Sequence, residues 1–332
     1  MPARTILRAF ALAAALLCSS IAHAQLFRAY LAIEGNDANP CTLPAPCRLL
    51  PAALAAVADG GEIWMLDSAN YNTATVNVTK SVKILAVPGA VGSVLAVSGP
   101  AFNIATAAVD VSLRNLVIVP LPGGGGTIGV NMTAGNSLTV EGSLLSGLPS
   151  GIQVNTTAIV RLVETTVRTS GVGVFVADGA RATVTRCVLS GSYALYAYGV
   201  APGTTTAVSV AGSTIEGSIV GAYVYSVNPT ATVRLAMSDS QLNWNNYGLY
   251  AYSEAGGTAT LTAVNNVVTN AVSTAVYVIG TGAKVWAAGN TVTDSFVGFW
   301  ATGNGVFESA GNNAVRNNGT DQNGTVTVIP MK

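Results

Sequence analysis

Aliphatic residues recurring every 22 to 27 positions, apolar-polar alternation within each repeat, and a third strand-like segment in most repeats predict one architecture. It is an all-β, single-stranded parallel β-helix, a solenoid whose turns bury their apolar faces only by stacking on one another. Composition agrees. Of 332 residues, 50% are apolar and 9% charged, which excludes intrinsic disorder. The 36 glycines keep no three-residue period and prolines number only 13, which excludes collagen and proline-rich linkers. Fifteen basic residues balance fifteen acidic ones, leaving no electrostatic footprint for nucleic acid.

At the N-terminus, Arg4 and Arg8 precede an apolar run from Ala9 to Leu17 and the small-residue site Ala22-His23-Ala24, so residues 1–24 read as a secretory signal peptide. Bulky Leu17 before Cys18 argues against lipid attachment there. No other uninterrupted apolar run is long enough to span a bilayer, so a secreted or periplasmic protein without a transmembrane segment in its mature chain is expected. Cleavage removes the only histidine, His23. Without imidazole the mature chain has no Ser-His-Asp or Cys-His nucleophile and no histidine-ligated metal, and neither a metal nor a cofactor is expected. Cys41 and Cys47 sit in a loop with Pro40, Pro44 and Pro46, and an oxidising compartment lets them pair. So short a loop gains roughly 2 kcal/mol from closure.

The turns begin with short strands of one buried face: Val111-Ser112-Leu113, Leu138-Thr139-Val140, Val160-Arg161-Leu162, Ala182-Thr183-Val184, Val208-Ser209-Val210, Leu235-Ala236-Met237, Leu261-Thr262-Ala263 and Val285-Trp286-Ala287. Each leads to an aliphatic anchor, from Ile118 through Leu145, Val167, Leu189, Ile215, Leu242, Val268 and Val292 to Val315. Two positions before the anchors stand Leu116, Ser143, Thr165, Cys187, Ser213, Ser240, Asn266, Asn290 and Asn313. Small polar side chains at a bend can satisfy one another and the turn backbone from rung to rung. Cys187 fills one slot of this ladder, so its thiol is expected to be buried rather than nucleophilic.

A third strand follows, in which a small turn residue precedes inward, outward and inward positions, as in Gly221-Ala222-Tyr223-Val224 and Gly248-Leu249-Tyr250-Ala251. This register places Phe175, Tyr196, Tyr223, Tyr250, Tyr277 and Trp300 in one outward column, and Tyr198, Tyr225 and Tyr252 in the next.

The segment Tyr30 to Tyr71 carries Gly35-Asn36-Asp37, the Cys41 and Pro46-Cys47-Arg48 pair, a helix-like Leu50 to Ala58, Gly60-Gly61-Glu62-Ile63 and Asn70-Tyr71. It resembles the opening of secreted bacterial right-handed β-helix repeat proteins of the pectate-lyase-like superfold, and the rungs resemble that fold to the C-terminus. The resemblance implies right-handed winding and a short N-terminal capping α-helix with Leu50, Leu54 and Val57 toward the core. The chain then divides into the signal peptide, 1–24, a loop and capping helix with the disulfide, 25–61, and the β-helix, 62–332. Activity does not follow, because the fold hosts lyases, hydrolases, isomerases, adhesins and proteins without known activity.

Enzymes of this class need acid, base or metal groups gathered on one surface, whereas the acidic residues here are scattered. Glu164 and Arg186 share a column on adjacent rungs, as an ion pair would. Glu216, Asp239 and Asp294 fall in different columns, and Asp178 and Glu254 lie three rungs apart, which does not suit paired-carboxylate hydrolysis. Asn36, Asp37 and Asn39 lack the full spacing of a calcium loop and suit turns.

The aromatic column is the informative feature. Stacked neighbours contribute about 0.5 to 1.5 kcal/mol per pair, which suits a stability ladder. Exposed aromatic patches also mark interaction sites, and sugar rings stack on them, which suits a binding strip. The expected function is binding of a polysaccharide or another cell-surface component. A polysaccharide lyase or other carbohydrate-active enzyme, using Arg161, Arg181, Arg234 or Lys284 as base, is the second reading, and a structural or adhesive surface protein the third.

Overall fold

In the computed structural model, which describes residues 25–254 and 256–329, the chain winds into a parallel β-solenoid with one short helix. The expected signal peptide lies outside the described residues. The first strands of successive turns form a 13-stranded sheet. Its register is continuous through Val111, Leu138, Val160, Ala182, Val208, Leu235, Leu261 and Val285. All eight side chains are buried, as are the anchors from Ile118 to Val292. The inside and outside assignments made from alternation therefore hold along this face. They hold because a one-residue slip in any strand would carry its whole apolar set into water.

Most of these bends are made by one residue in the left-handed backbone region. At the first bend these are Asn115, Gly142, Glu164, Arg186, Gly212, Asp239, Asn265 and Gly289, with φ between 49° and 65°. The next residue then points inward, and this is the polar ladder. Ser240 N–H donates to Asn266 Oδ1 at 3.1 Å and Asn266 N–H to Asn290 Oδ1 at 2.9 Å. The Asn266 Nδ2 donates back to the Met237 carbonyl at 2.9 Å. Each asparagine thus satisfies a donor and an acceptor of the preceding turn, groups that burial would otherwise leave unpaired. Cys187 holds its slot as expected, buried and free of any disulfide, its backbone N–H donating to Ser213 Oγ at 3.1 Å.

A second ladder runs five residues further on, at Ser218, Asn245, Ala271, Ser295 and Asn318. Ser218 N–H donates to Asn245 Oδ1 at 3.0 Å, and Ser295 N–H to Asn318 Oδ1 at 3.0 Å. The residues before it, Gly217, Trp244, Asn270, Asp294 and Asn317, are again left-handed.

The helix Leu50–Ala56 buries Leu50, Ala53 and Leu54, with Val57 buried directly after it. Pro51 sits at its first positions, where a missing N–H costs nothing. Asp37 Oδ1 accepts the N–H groups of Arg48 and Leu49, each at 2.8 Å, so this carboxylate fixes the approach to the helix. The Cys41–Cys47 disulfide, with Cα atoms 4.6 Å apart, closes the loop between them. Strand Leu26–Leu31 pairs in parallel with Val57–Met65, so the N-terminal segment is continuous with the 13-stranded sheet.

Candidate functional site

The third strands carry the aromatic residues. Backbone pairing sets Phe175, Tyr196, Tyr223, Tyr250, Tyr277 and Trp300 side by side on six successive turns. The column continues toward the N-terminus as Gln153, Asn131, Asn103 and Asn77, where Asn131 Nδ2 donates to Asn103 Oδ1 at 3.1 Å. Tyr198, Tyr225 and Tyr252 form the adjacent column. From Tyr196 to Trp300, neighbouring ring centroids lie 4.7 to 5.0 Å apart with interplanar angles of 30° to 35°. That separation is the spacing of the strands, so the backbone itself imposes the ring stack. Phe175 meets Tyr196 edge to face at 5.2 Å and 90°.

The column is not a uniformly open platform. Tyr223 and Tyr277 are each only 8% exposed, while Tyr196, Tyr250 and Trp300 are half-buried. The cause is a pair of tyrosines outside the sequence-derived columns. Tyr193 stacks on Tyr223 of the next turn at 5.8 Å and 20°, and Tyr247 on Tyr277 at 5.8 Å and 18°. Both begin their strands three residues before a column member. Nine of the chain's 11 tyrosines therefore stand on this one face.

Burial pushes the phenols of Tyr196, Tyr223 and Tyr250 well above the ordinary tyrosine range, with neighbouring phenols adding to it. They are neutral hydroxyls at any physiological pH. At the rim, Tyr225 donates to the Glu254 carboxylate. Its phenol is raised first by burial and then by this hydrogen bond.

The charged candidates lie elsewhere. Arg161, Arg181, Arg234 and Lys284 all project from the first face, whose 13-stranded sheet contains their strands. Arg181 and Arg234 line a shallow depression of about 340 Å³ with Ser209 and Thr260. Lys284 is paired with Glu308 at 2.6 Å. Glu164 and Arg186 form the expected surface ion pair at 2.9 Å. Asp239 and Asp294 are left-handed bend residues, and Glu216 lies 4.0 Å from Arg168. Asn36 caps its own turn by accepting the Ala38 N–H at 2.9 Å, and Asn39 donates to the Pro46 carbonyl at 2.8 Å. Among the described residues no three His, Cys, Asp or Glu side chains gather in a metal-ligating group, and no helix is long and apolar enough to cross a membrane.

The stacked three-strand turns and the internal ladders define a parallel β-helix repeat protein. Residues 128–292 match the family described as right handed beta helix region. Among solved structures, the complex of XylC with xylose is similar with a TM-score of 0.57 at 8% identity, over 83% of this chain and 70% of that one. Pectate lyase Pel9A gives 0.53 at 14% identity, over 88% and 79%. A GH136 lacto-N-biosidase from Eubacterium ramulus gives 0.54 at 10% identity, over 91% and 68%. At such identities the likeness is one of fold. No curated protein matches the sequence.

Proposed function

We propose that this is an exported protein that binds a polysaccharide or another glycan of a cell surface through the aromatic third face. The observation that carries the reading is the unbroken aromatic column from Phe175 to Trp300, flanked by Tyr198, Tyr225 and Tyr252. Six turns at the strand spacing give about 24 Å of surface, which suits an extended chain rather than one small molecule. Neutral phenols offer hydroxyls beside partly exposed rings, the combination that sugar hydroxyls and apolar sugar faces both engage. Pectate lyase and lacto-N-biosidase, by their names enzymes of glycans, share the fold, which makes glycans the first class to test. A glycan array on the purified protein tests the reading. Binding without product release supports it, and a blank array sinks it.

The lyase reading has its own observation, the depression lined by Arg181 and Arg234 on the first face. Unsaturated product from a polyuronide, lost in Arg181→Ala or Arg234→Ala, would favour it over binding alone.

A further inference from the structure

Trp244 is where the sequence departs from what the backbone asks. It forms the second bend of its turn at φ 56°, in the left-handed region. Gly217, Asn270, Asp294 and Asn317 hold the same position on other turns, and these are the residue types that tolerate that conformation. A tryptophan there strains the chain. It also leaves 63% of its surface in water, so packing returns little of that cost. A residue that breaks a conformational rule and a burial rule together, without compensation, marks a functional position.

Its surroundings name a chemistry. Asn243 precedes it, and Asn270 of the next turn donates through Nδ2 to Asn243 Oδ1 at 2.9 Å, so two amides are joined beside the bend. Tyr247, three residues on, leads into the aromatic face by stacking on Tyr250 at 5.4 Å. Five strands of that face, Tyr193–Gly199, Val220–Ser226, Tyr247–Ser253, Thr274–Ile279 and Val297–Thr302, contain no charged residue, and the strand of Phe175, Thr166–Ala177, carries Arg168 near its start. Ionic groups along this bend are the carboxylate of Asp294, the Glu216–Arg168 pair and, directly before Asn317, Arg316, which lies 3.8 Å from Asp321. The basic residues Arg161, Arg181, Arg234 and Lys284 belong to the first face.

We propose that Trp244, with Asn243 and Asn270, is a subsite for an uncharged sugar unit, and that the glycan of the aromatic face is neutral rather than a polyuronide. This rests on the glycan-binding reading above. The indole offers a ring face for an apolar sugar face, and the amides offer donors and acceptors for hydroxyls. The cations bordering this face, Arg168 and Arg316, each face a carboxylate at 4.0 and 3.8 Å, so a uronate carboxylate would meet no unpaired cation on these strands.

The test is titration calorimetry of the wild type and of Trp244→Asn with cellohexaose, xylohexaose and mannohexaose, and with hexagalacturonate as the charged counterpart. At least one neutral oligosaccharide should bind with little dependence on salt, and hexagalacturonate at least about tenfold more weakly. Trp244→Asn should weaken the neutral ligand by about tenfold or more while melting no lower than the wild type, because asparagine suits the left-handed bend. Unchanged affinity in Trp244→Asn would overturn the subsite. Preference for hexagalacturonate would overturn the neutral class while leaving glycan binding intact. Failure of every oligosaccharide, together with a blank glycan array, would remove the binding reading and this inference with it.

Discussion

Tyr193 lies across Tyr223 of the following turn, ring centroids 5.8 Å apart and planes within 20°. Because Tyr223 also contacts Tyr196, Tyr225 and Tyr250 at 4.8 to 5.3 Å, it is the centre of an aromatic nest rather than an exposed rung. Two roles that looked alike in the sequence therefore separate. Tyr223 and Tyr277 hold the stack together, and the half-buried Tyr250, Tyr252 and Trp300 present it to solvent.

Removing the cover should be costly. Tyr193→Ala loses two ring contacts and uncovers Tyr223, so the expected destabilisation is about 1 to 3 kcal/mol, against less than about 1 kcal/mol for Thr183→Ala on the open first face. Urea denaturation of both variants checks the difference. Equal, small effects would show that Tyr193 contributes nothing to the nest.

The asparagine ladder gives a second measurable asymmetry. Asn266 accepts the Ser240 N–H and donates to the Met237 carbonyl, both buried in the solenoid. Asn266→Ala should leave these groups unpaired and cost about 2 to 4 kcal/mol, since each orphaned buried group costs about 1 to 3. Asn266→Ser, which keeps one acceptor as Ser240 and Ser213 do, should recover part of the loss. Amide hydrogen exchange at Ser240 reports the bond directly. It should quicken in the alanine variant.

How much of this was legible follows from periodicity. The first strands, the anchors and the first ladder recur in fixed register and alternate cleanly, so Leu189, Ile215 and Cys187 could be placed inside from spacing alone, and all three are buried. The second ladder escaped because Ser218, Asn245 and Ala271 share no residue type, and Ala271 offers only its backbone N–H, to Ser295 Oγ at 3.1 Å. Tyr193 and Tyr247 escaped for a geometric reason. Each is followed by two buried residues in succession, Ala194-Leu195 and Gly248-Leu249, which break the alternation and turn the tyrosine outward. Trp244 carried a signal of its own: a tryptophan in a column otherwise filled by glycine, asparagine and aspartate.

The cysteines should divide by reactivity. Cys41 and Cys47 are bonded, and the Cys187 thiol is buried and raised above the ordinary range, first by desolvation. An alkylating reagent should leave Cys187 unmodified in the native protein and label it after denaturation, with the Cys41–Cys47 peptide released only by reductant. Rapid native labelling of Cys187 would contradict its ladder position.

Alkaline pH tests the aromatic nest as a whole. Tyr196, Tyr223 and Tyr250 have folded-state pKa values raised first by burial, whereas in the unfolded chain each ionises near the ordinary value of 10.0. Below that value both states hold the phenol proton, and these groups make stability independent of pH. Above it the unfolded chain loses protons that the folded chain keeps, so the unfolded state gains and stability falls. The fall should reach about 1.4 kcal/mol per pH unit for each such tyrosine, continuing until the folded phenols themselves ionise. Denaturation midpoints measured from pH about 8 to 11, with phenolate absorbance followed in parallel, read both sides of the linkage. Native protein should show fewer ionised tyrosines at pH about 11 than the urea-unfolded chain, and Tyr193→Ala, by opening Tyr223 to water, should bring part of the missing absorbance back. A native spectrum in which every tyrosine titrates near 10.0 would mean that the rings are solvated and the nest does not form in solution.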